Sequence, residues 1–138
     1  MKIMVSACLL GDNCKYNGGN NYSDKLDKLC RCSTVIKVCP EVMGGLSIPR
    51  KPGEIRDGVV INEDGTSVDE EYRNGAQKAL EIALKEKPDL IVLQSRSPSC
   101  GVNEIYDGSF SHTRIPGHGV FAQMLIDNKF YVKDIEDI

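Results

Sequence analysis

Short apolar runs alternate along this chain with longer segments in which apolar residues recur every three or four positions. Three of the apolar runs are typical of buried strands, and they lie at 2–6, 34–38 and 89–94. The segment 69–86 has the spacing of an amphipathic helix, with acidic residues in its first turn and lysines at its end. Because helical segments separate the strands, this order predicts right-handed parallel crossovers and an α/β fold.

Weaker signals lie near the two ends of the chain. Ser23 predicts the N-cap of a short helix that carries Leu26 and Leu29. The turn at 116–119 predicts the start of another helix, after a long polar loop. A final strand is expected at 130–132. Because a strand follows each of these predicted helices, each helix is expected to return the chain to the same sheet.

The middle of the chain predicts an insertion beside that sheet. Segment 58–68 has the pattern of a β-hairpin with its turn at 63–65. Before it, prolines and glycines between 40 and 53 predict no regular element. We find no internal repeat and no linker, so we expect a single domain over residues 1–138.

Composition narrows the classes of partner. A chain of 138 residues can bury one core without disulfides. Its net charge of −3, with scattered basic residues, gives no electrostatic case for nucleic-acid binding, so a small or neutral ligand is expected. No apolar stretch approaches the roughly 20 residues of a membrane span, and the first residues do not have the pattern of a signal peptide. We expect a cytoplasmic protein that is a monomer or a weak homo-oligomer.

Three of the six cysteines follow the predicted strands. Cys8 and Cys39 come at the ends of the first two strands, and Cys100 lies a few residues beyond the third. Because the carboxyl ends of parallel strands meet at one edge, these thiols are expected to converge where α/β proteins bind ligands. Thiolates suit an iron–sulfur cluster, zinc or cuprous copper. The alternative is that they are small buried hydrophobic residues.

The other cysteines and the histidines carry weaker signals. Cys14 shares a loop with Cys8 and fits a fourth ligand, a redox partner or an incidental residue. Cys30 and Cys32 are expected to lie in the core or on the surface near the end of the first helix. No C-x-x-C pair is present, so a zinc ribbon is not expected. The motif at 117–119 fits an anion site at a helix start or, more simply, a turn.

Glu41 and Ser97 are the candidate catalytic side chains. If the backbone is extended after Cys39, Glu41 points to the same face as that thiol and can act as a general acid or base. The alternative for Glu41 is a solvated or helix-capping carboxylate. Ser97 precedes Pro98 and therefore also fits a helix N-cap, but its hydroxyl lies near enough to Cys100 in sequence to polarise a substrate.

Four motifs, in order along nearly the whole chain, resemble the thiouracil desulfidase family. They are Ser6-Ala7-Cys8-Leu9-Leu10-Gly11, Cys39-Pro40-Glu41-Val42-Met43-Gly44-Gly45, Ser97-Pro98-Ser99-Cys100-Gly101 and Gly117-His118-Gly119-Val120-Phe121. The resemblance implies a Rossmann-like three-layer domain with a mainly parallel sheet. It also implies an enzyme that removes sulfur from a thiolated nucleobase such as 2-thiouracil and gives uracil and sulfide.

The resemblance further assigns roles to the candidate residues. It implies that Cys8, Cys39 and Cys100 hold a [4Fe-4S] cluster and leave one iron open for the thiocarbonyl sulfur. Glu41 would then activate water or move a proton, and Ser97 would orient the ring. A cysteine at position 14 departs from the family pattern, which raises a fourth ligand or a disulfide with Cys8 as possibilities.

Two other classes of function compete with this one. The converging thiols also fit a non-enzymatic module that binds zinc or senses redox state through disulfides. A carboxylate and a hydroxyl at the thiol edge favour the enzyme, because a sensor needs neither. A nucleotide-binding domain is disfavoured, since no complete G-x-G-x-x-G follows the first strand.

Overall fold

The computed structural model describes residues 1–138. Its strands are β1 (Lys2–Ser6), β2 (Thr34–Val38), β3 (Gly53–Arg56), β4 (Val59–Asn62), β5 (Leu90–Leu93), β6 (Glu104–Tyr106), β7 (Arg114–Pro116) and β8 (Val132–Asp134). Its α-helices are α1 (Asp24–Cys30), α2 (Pro40–Met43), α3 (Asp69–Glu86) and α4 (Val120–Asp127). Single turns of 3₁₀ helix cover Ala7–Leu10 and Ile135–Asp137.

The central sheet is parallel and has the strand order β2-β1-β5-β8. Along β1, Ile3 and Val5 alternate with Met4, so they face opposite sides of the sheet. Ile3 and Val5 pack with Leu26 of α1 on one side, whereas Met4 packs with residues of α3 and α4 on the other. Helices therefore cover both faces, and the predicted Rossmann-like three-layer α/β fold is confirmed.

The chain changes faces of the sheet between β1 and β5. The connection after β1 carries α1 on one face, and the connection from β2 to β5 carries α3 on the other. In open α/β sheets a ligand binds in the crevice outside the strand ends at such a point. The fold thus places the segments after β1 and β5 at the edge where a site is expected.

Most of the predicted elements are confirmed. The strands β1 and β2 and the helix α3 have the predicted bounds, and β5 lies within 89–94. The Ser23 hydroxyl accepts a hydrogen bond from the Leu26 amide at 3.2 Å and so caps α1 as expected. The last strand begins at Val132 rather than at 130. None of the helices combines the length and apolar character needed to cross a bilayer.

The predicted hairpin exists, but its partner strand was predicted wrongly. β4 pairs antiparallel with β3, which precedes it, and segment 66–68 adds only a bridge between Ile61 and Ser67. The turn between β3 and β4 is Asp57-Gly58, with φ of 51° and 77°. Both angles are positive, as a type I′ turn requires, and Asp-Gly is a preferred sequence for it. This tight turn therefore makes β3, rather than segment 66–68, the partner strand of β4.

The prediction of no regular element between 40 and 53 was also wrong. This stretch contains α2, which has Pro40 at its first position, and β3 begins at the last residue of the stretch, Gly53. A Cβ on Gly44 would lie 1.9 Å from the Glu71 carbonyl oxygen, and one on Gly75 would lie 1.7 Å from that of Pro40. Glycine at both positions therefore allows α2 to lie directly against α3.

A second hairpin, β6–β7, occupies the segment expected to be a polar loop. It is held against the first hairpin by side chains of β3. Glu54 Oε1 accepts hydrogen bonds from the amides of Gly108 and Phe110 at 3.0 and 3.1 Å. Arg56 Nε donates to the Gly108 carbonyl oxygen at 2.9 Å. The two hairpins therefore form one small unit beside the sheet.

Candidate functional site

A cavity of about 470 Å³ lies at the carboxyl ends of β1, β2 and β5. The five residues that the sequence singles out all line it, and they are Cys8, Glu41, Cys39, Ser97 and Cys100. They come from three separate parts of the chain, so parallel strand pairing brings them together. The expected convergence of the three thiols is thus found at the expected edge.

Each thiol is positioned by the turn that follows its strand. Cys8 lies in the 3₁₀ turn after β1, and its Sγ accepts a hydrogen bond from Asn21 Nδ2 at 3.5 Å. Cys39 is the N-cap residue of α2. Cys100 is buried after β5, and its Sγ lies 3.6 Å from Ser99 Oγ. The backbone after Cys39 is helical, so the expected extended geometry between Cys39 and Glu41 is wrong, although both still face the cavity.

Cys14 is a fourth thiol on the same cavity. It is buried, and its side chain hydrogen-bonds with the thiols of both Cys8 and Cys39. Its amide donates to the Asp12 carbonyl oxygen at 2.9 Å, and its own carbonyl oxygen accepts from Arg50 Nη2 at 2.8 Å. The structure therefore anchors Cys14 among the other thiols.

The hydrogen bonds among these thiols shift their pKa values in opposite directions. The bond with Cys14 lowers the pKa of Cys8 and lowers that of Cys39 to about 7, in each case against the effect of burial. The same two bonds raise the pKa of Cys14. Burial raises the pKa of Cys100 to about 12, although the Ser6 and Ser99 hydroxyls act against it. The two most acidic thiols are thus those that Cys14 contacts.

The Glu41 carboxylate is held from two sides. Oε1 accepts hydrogen bonds from the Tyr72 hydroxyl at 2.9 Å and from Arg50 Nε at 3.2 Å, and Arg50 Nη2 lies 3.1 Å away. Oε2 accepts from Ser99 Oγ at 2.7 Å and faces Ser97 Oγ at 3.4 Å. The Arg50 and Glu41 side chains are only 7% and 14% exposed, so this ion pair is largely shielded from water. Glu41 is therefore a fixed carboxylate with one oxygen toward the serines.

Ser97 has a structural role as well as a place beside Glu41. Its Oγ accepts hydrogen bonds from the amides of Ser99 and Cys100 at 3.1 and 3.0 Å. These are the contacts of an N-cap, although a turn rather than a helix follows. Ser97 therefore makes the contacts of an N-cap and also lies beside the Glu41 carboxylate. Of the two serines, Ser99 has its hydroxyl closer to Glu41.

The start of α4 holds this serine-rich turn in place. Backbone amides of Gly119, Val120 and Phe121 donate to the carbonyl oxygens of Gly101, Pro98 and Ser99 at 2.8 to 2.9 Å. A Cβ on Gly119 would lie 2.5 Å from the Ser99 carbonyl carbon, so only glycine allows this approach. Because these amides are already paired, the start of α4 supports the turn and does not offer these donors to an anion.

Three residues of the site were assigned no role from the sequence. Arg50 and Tyr72 both bind Glu41, and Ser99 lies nearer to it than Ser97 does. Tyr72 occupies a core-facing position of α3, where an aromatic residue normally indicates packing alone. Burial and the neighbouring charge of Glu41 raise the pKa of Tyr72. Ser99 alone could have been found, because it belongs to the same motif as Ser97 and Cys100.

The remaining candidates lie outside the thiol group. Cys30, the last residue of α1, is buried in the core and Cys32 is exposed, as expected. His118 Nδ1 lies 2.5 Å from the Val102 carbonyl oxygen, so it has a local partner. His112 lies on the cavity rim with its ring 6.4 Å from that of Tyr106 in an edge-on arrangement.

Aromatic residues of the second hairpin form one wall of the cavity. Tyr106, Phe110 and His112 line it, and Phe110 and His112 have positive φ angles of 57° and 60°. Such angles are unfavourable for side-chain-bearing residues and are held by surrounding contacts. Here Glu54 supplies one, through the Phe110 amide. The fold therefore adds aromatic side chains to the wall of the cavity that the thiols also line.

The donor set fits a cluster better than a single ion. No three His, Cys, Asp or Glu side chains are placed to bind one metal ion, which disfavours the zinc alternative. Four thiols nevertheless face one cavity of about 470 Å³. A four-iron cluster is larger than one ion and takes its thiolates at separate irons, so it suits thiols distributed around a cavity.

Comparison with known proteins gives consistent results. The family model described as 2-thiouracil desulfurase matches residues 3–137. An uncharacterised protein of Bacillus subtilis (strain 168), YbbK, is 39% identical over 133 residues, covering 89% of this chain and 88% of the relative. A solved structure of TudS, a [4Fe-4S]-dependent thiouracil desulfidase, is 36% identical, with a TM-score of 0.93. That match covers 99% of this chain and 92% of TudS.

Proposed function

The chain belongs to the 2-thiouracil desulfurase family, and on this basis we propose that it removes sulfur from 2-thiouracil or a closely related thiolated base with a [4Fe-4S] cluster. The observation that carries the proposal is the position of Glu41. Its carboxylate lines the same cavity as the three strand-end thiols and accepts a hydrogen bond from Ser99, and this cavity is large enough for a small heterocycle. A carboxylate at that position suits a hydrolytic reaction.

In the proposed site Cys8, Cys39 and Cys100 would hold the cluster. Thiolates are the usual protein ligands of iron–sulfur clusters, and all three line the cavity. When bound, such a cluster supplies a Lewis-acidic iron that can take the sulfur of the substrate. Every other part of the reaction falls to side chains of this chain.

Glu41 is the proposed proton-transfer group. The overall change is hydrolysis: water and a thiocarbonyl give a carbonyl and hydrogen sulfide, so a carbon–sulfur bond is exchanged for a carbon–oxygen bond without net electron transfer. Glu41 Oε2 faces the two serine hydroxyls and can accept a proton from water, while Arg50 and Tyr72 hold Oε1 in place. A fixed base needs little reorganisation during the reaction.

The serines and the aromatic wall are proposed to orient the substrate. Ser99 and Ser97 present hydroxyls that can hydrogen-bond to ring nitrogen or oxygen. In the same cavity, Tyr106 and Phe110 offer apolar surfaces against which a flat ring can stack. Stacking there would leave the sulfur free to point toward the thiols.

We also propose a reducing, cytoplasmic setting and a small-molecule substrate. All six cysteines are free thiols in this structure, and iron–sulfur ligation requires thiols to remain reduced. The absence of a basic cluster in the sequence supports a small substrate over a nucleic acid.

The test is anaerobic iron and sulfide analysis followed by an activity assay. Wild type and the exposed-cysteine control Cys32→Ala should hold about four irons per chain and release sulfide from 2-thiouracil. Cys8→Ala, Cys39→Ala and Cys100→Ala should each lose the iron and the activity, with circular dichroism confirming the fold. Wild type that binds only zinc, or loads no iron after reconstitution, would contradict the proposal.

A further inference from the structure

Cys14 is the one cavity thiol that the proposed reaction does not use. Four of the six cysteines line this cavity, although three would suffice to hold a cluster with an open iron. Cys14 is only 8% exposed and lines the cavity with Cys8 and Cys39, and the Cys39 Sγ lies 3.9 Å from the Cys14 carbonyl oxygen. A fourth thiol on the wall of the same cavity has the chemistry of a fourth ligand.

The backbone contacts place Cys14 on the Glu41 side of the cavity. Arg50 Nη2 donates to the Cys14 carbonyl oxygen at 2.8 Å and also lies 3.1 Å from Glu41 Oε1. One guanidinium nitrogen therefore joins Cys14 to the carboxylate that is proposed to act on the substrate. Cys14 therefore lines, together with Glu41, the cavity in which the substrate is proposed to bind.

The loop that carries Cys14 belongs to no helix or strand. It lies between Gly11, which ends the 3₁₀ turn with φ of 97°, and Gly18, with φ of 82°. Within the loop, the Lys15 amide donates a hydrogen bond to the Gly19 carbonyl oxygen, and the Gly18 amide donates to that of Lys15. Cys14 can therefore change position without breaking a regular element.

We propose that Cys14 is a fourth cysteine ligand, which binds the iron left free by Cys8, Cys39 and Cys100 while no substrate is present and is displaced by the substrate's sulfur. This inference rests on the proposed function. The exchange involves no oxidant or reductant: the Cys14 thiol loses its proton to water when it binds iron and regains one when it leaves. The site is then closed at rest, which protects the reactive iron from water and from loss.

Mild oxidation tests whether Cys14 binds the fourth iron. A four-iron cluster in which one iron has no cysteine ligand loses that iron on oxidation and becomes a three-iron cluster. Reconstituted wild type, Cys14→Ala and the exposed control Cys32→Ala would be treated with ferricyanide without substrate, and the three-iron EPR signal measured. We expect a signal about tenfold larger in Cys14→Ala than in the other two. Equal signals in wild type and Cys14→Ala would overturn the inference.

A second measurement, on wild type alone, keeps the inference testable if Cys14→Ala fails to bind an iron–sulfur cluster. Mössbauer spectra of substrate-free wild type should show four irons in sulfur-only coordination. One distinct iron subsite with an oxygen or nitrogen ligand would overturn the role of Cys14 but leave the proposed function standing. Wild type without a cluster would overturn both.

Discussion

Ser99 donates a 2.7 Å hydrogen bond to Glu41 Oε2 across 58 positions of sequence. The two residues are brought together because α2 follows β2 and the serine turn follows β5, on either side of β1 in the sheet. The same turn carries Cys100, and the residue at the start of α2 is Cys39. The proposed acid–base group and two of the three proposed thiol ligands therefore come from the same two segments.

Replacing Glu41 by glutamine should separate these two functions. Glutamine keeps the size of the side chain but cannot accept a proton at neutral pH, so we expect kcat to fall by about 10²–10⁴-fold. The thiols are unchanged, so the visible spectrum and iron content should match wild type. Glu70→Gln, at an exposed carboxylate on α3, serves as the control. Full activity in Glu41→Gln would remove the carboxylate from the reaction.

Replacing Ser99 should mainly lower activity, whereas replacing Ser97 should mainly lower stability. Ser99→Ala deletes a hydrogen bond to a charged group, which is about 1.5–3 kcal/mol, and we expect kcat to fall roughly 10- to 100-fold. Ser97→Ala deletes a cap of two amides, so we expect about 1 kcal/mol less stability in urea unfolding and weaker retention of iron. The reverse ranking, with Ser97 dominating kcat, would indicate that substrate contacts rather than capping decide its role.

The sheet was predictable from sequence because its signals are local. The bounds of β1, β2 and α3 follow from periodicity and end signals within each segment. Of the residues that line the cavity, the sequence singled out the three strand-end thiols, Glu41 and Ser97, since strand ends in a parallel sheet meet at one edge.

The parts that were missed depend on contacts between distant segments. The helix α2 is four residues long and has no amphipathic pattern, and it is stabilised by the contact of Gly44 and Gly75. Arg50 lies between two prolines in an irregular stretch, where nothing local indicates that its partner is a carboxylate nine residues away. Tyr72 carries the spacing of a core residue, and its hydroxyl contact exists only because α2 lies on α3.

Tyr72→Phe should alter how stability depends on pH. Burial and the Glu41 charge raise the pKa of Tyr72 in the folded state above its ordinary value near 10. Below about pH 10 the tyrosine is neutral in both states, and above it only the unfolded state ionises. Wild type should therefore lose up to about 1.4 kcal/mol of unfolding free energy per pH unit above pH 10 from this group.

The phenylalanine variant should lack this part of the alkaline slope, and it should lose about 1 kcal/mol at neutral pH with the hydrogen bond to Glu41. Tyr131→Phe is the matched control, because Tyr131 is exposed. Urea unfolding between pH 8 and pH 11 gives both quantities. Parallel alkaline slopes for wild type and Tyr72→Phe would mean that the tyrosine ionises in the folded protein.

Phe110→Ala should weaken substrate binding more than it slows the reaction. If the ring of the substrate stacks on this wall, removing the aromatic face costs about 1–3 kcal/mol, and KM should rise about tenfold with kcat nearly unchanged. Phe110→Tyr should restore most of the affinity. Ile115→Ala, at an exposed residue of the same hairpin that does not line the cavity, controls for damage to the hairpin. An unchanged KM in Phe110→Ala would place the substrate elsewhere.

Gly75→Ala tests the contact that positions Glu41. Alanine in the middle of a helix normally stabilises it by about 0.5–1 kcal/mol relative to glycine. Here the added Cβ would lie 1.7 Å from the Pro40 carbonyl oxygen, so α2 must move away from α3 and the hydrogen bond between Tyr72 and Glu41 must lengthen. We expect the free energy of unfolding to fall by about 1–3 kcal/mol.

Asn74→Ala changes the exposed neighbour on the same helix and should leave stability unchanged or slightly raised, as helix propensity alone dictates. Opposite signs for the two alanine variants, measured by urea unfolding, would show that close packing of α2 on α3 outweighs propensity. A loss of kcat in Gly75→Ala beyond the loss of folded protein would further show that this packing aligns the Glu41 carboxylate. Equal stabilisation of both variants would mean that α2 tolerates displacement and that Glu41 is positioned by Arg50 and Ser99 alone.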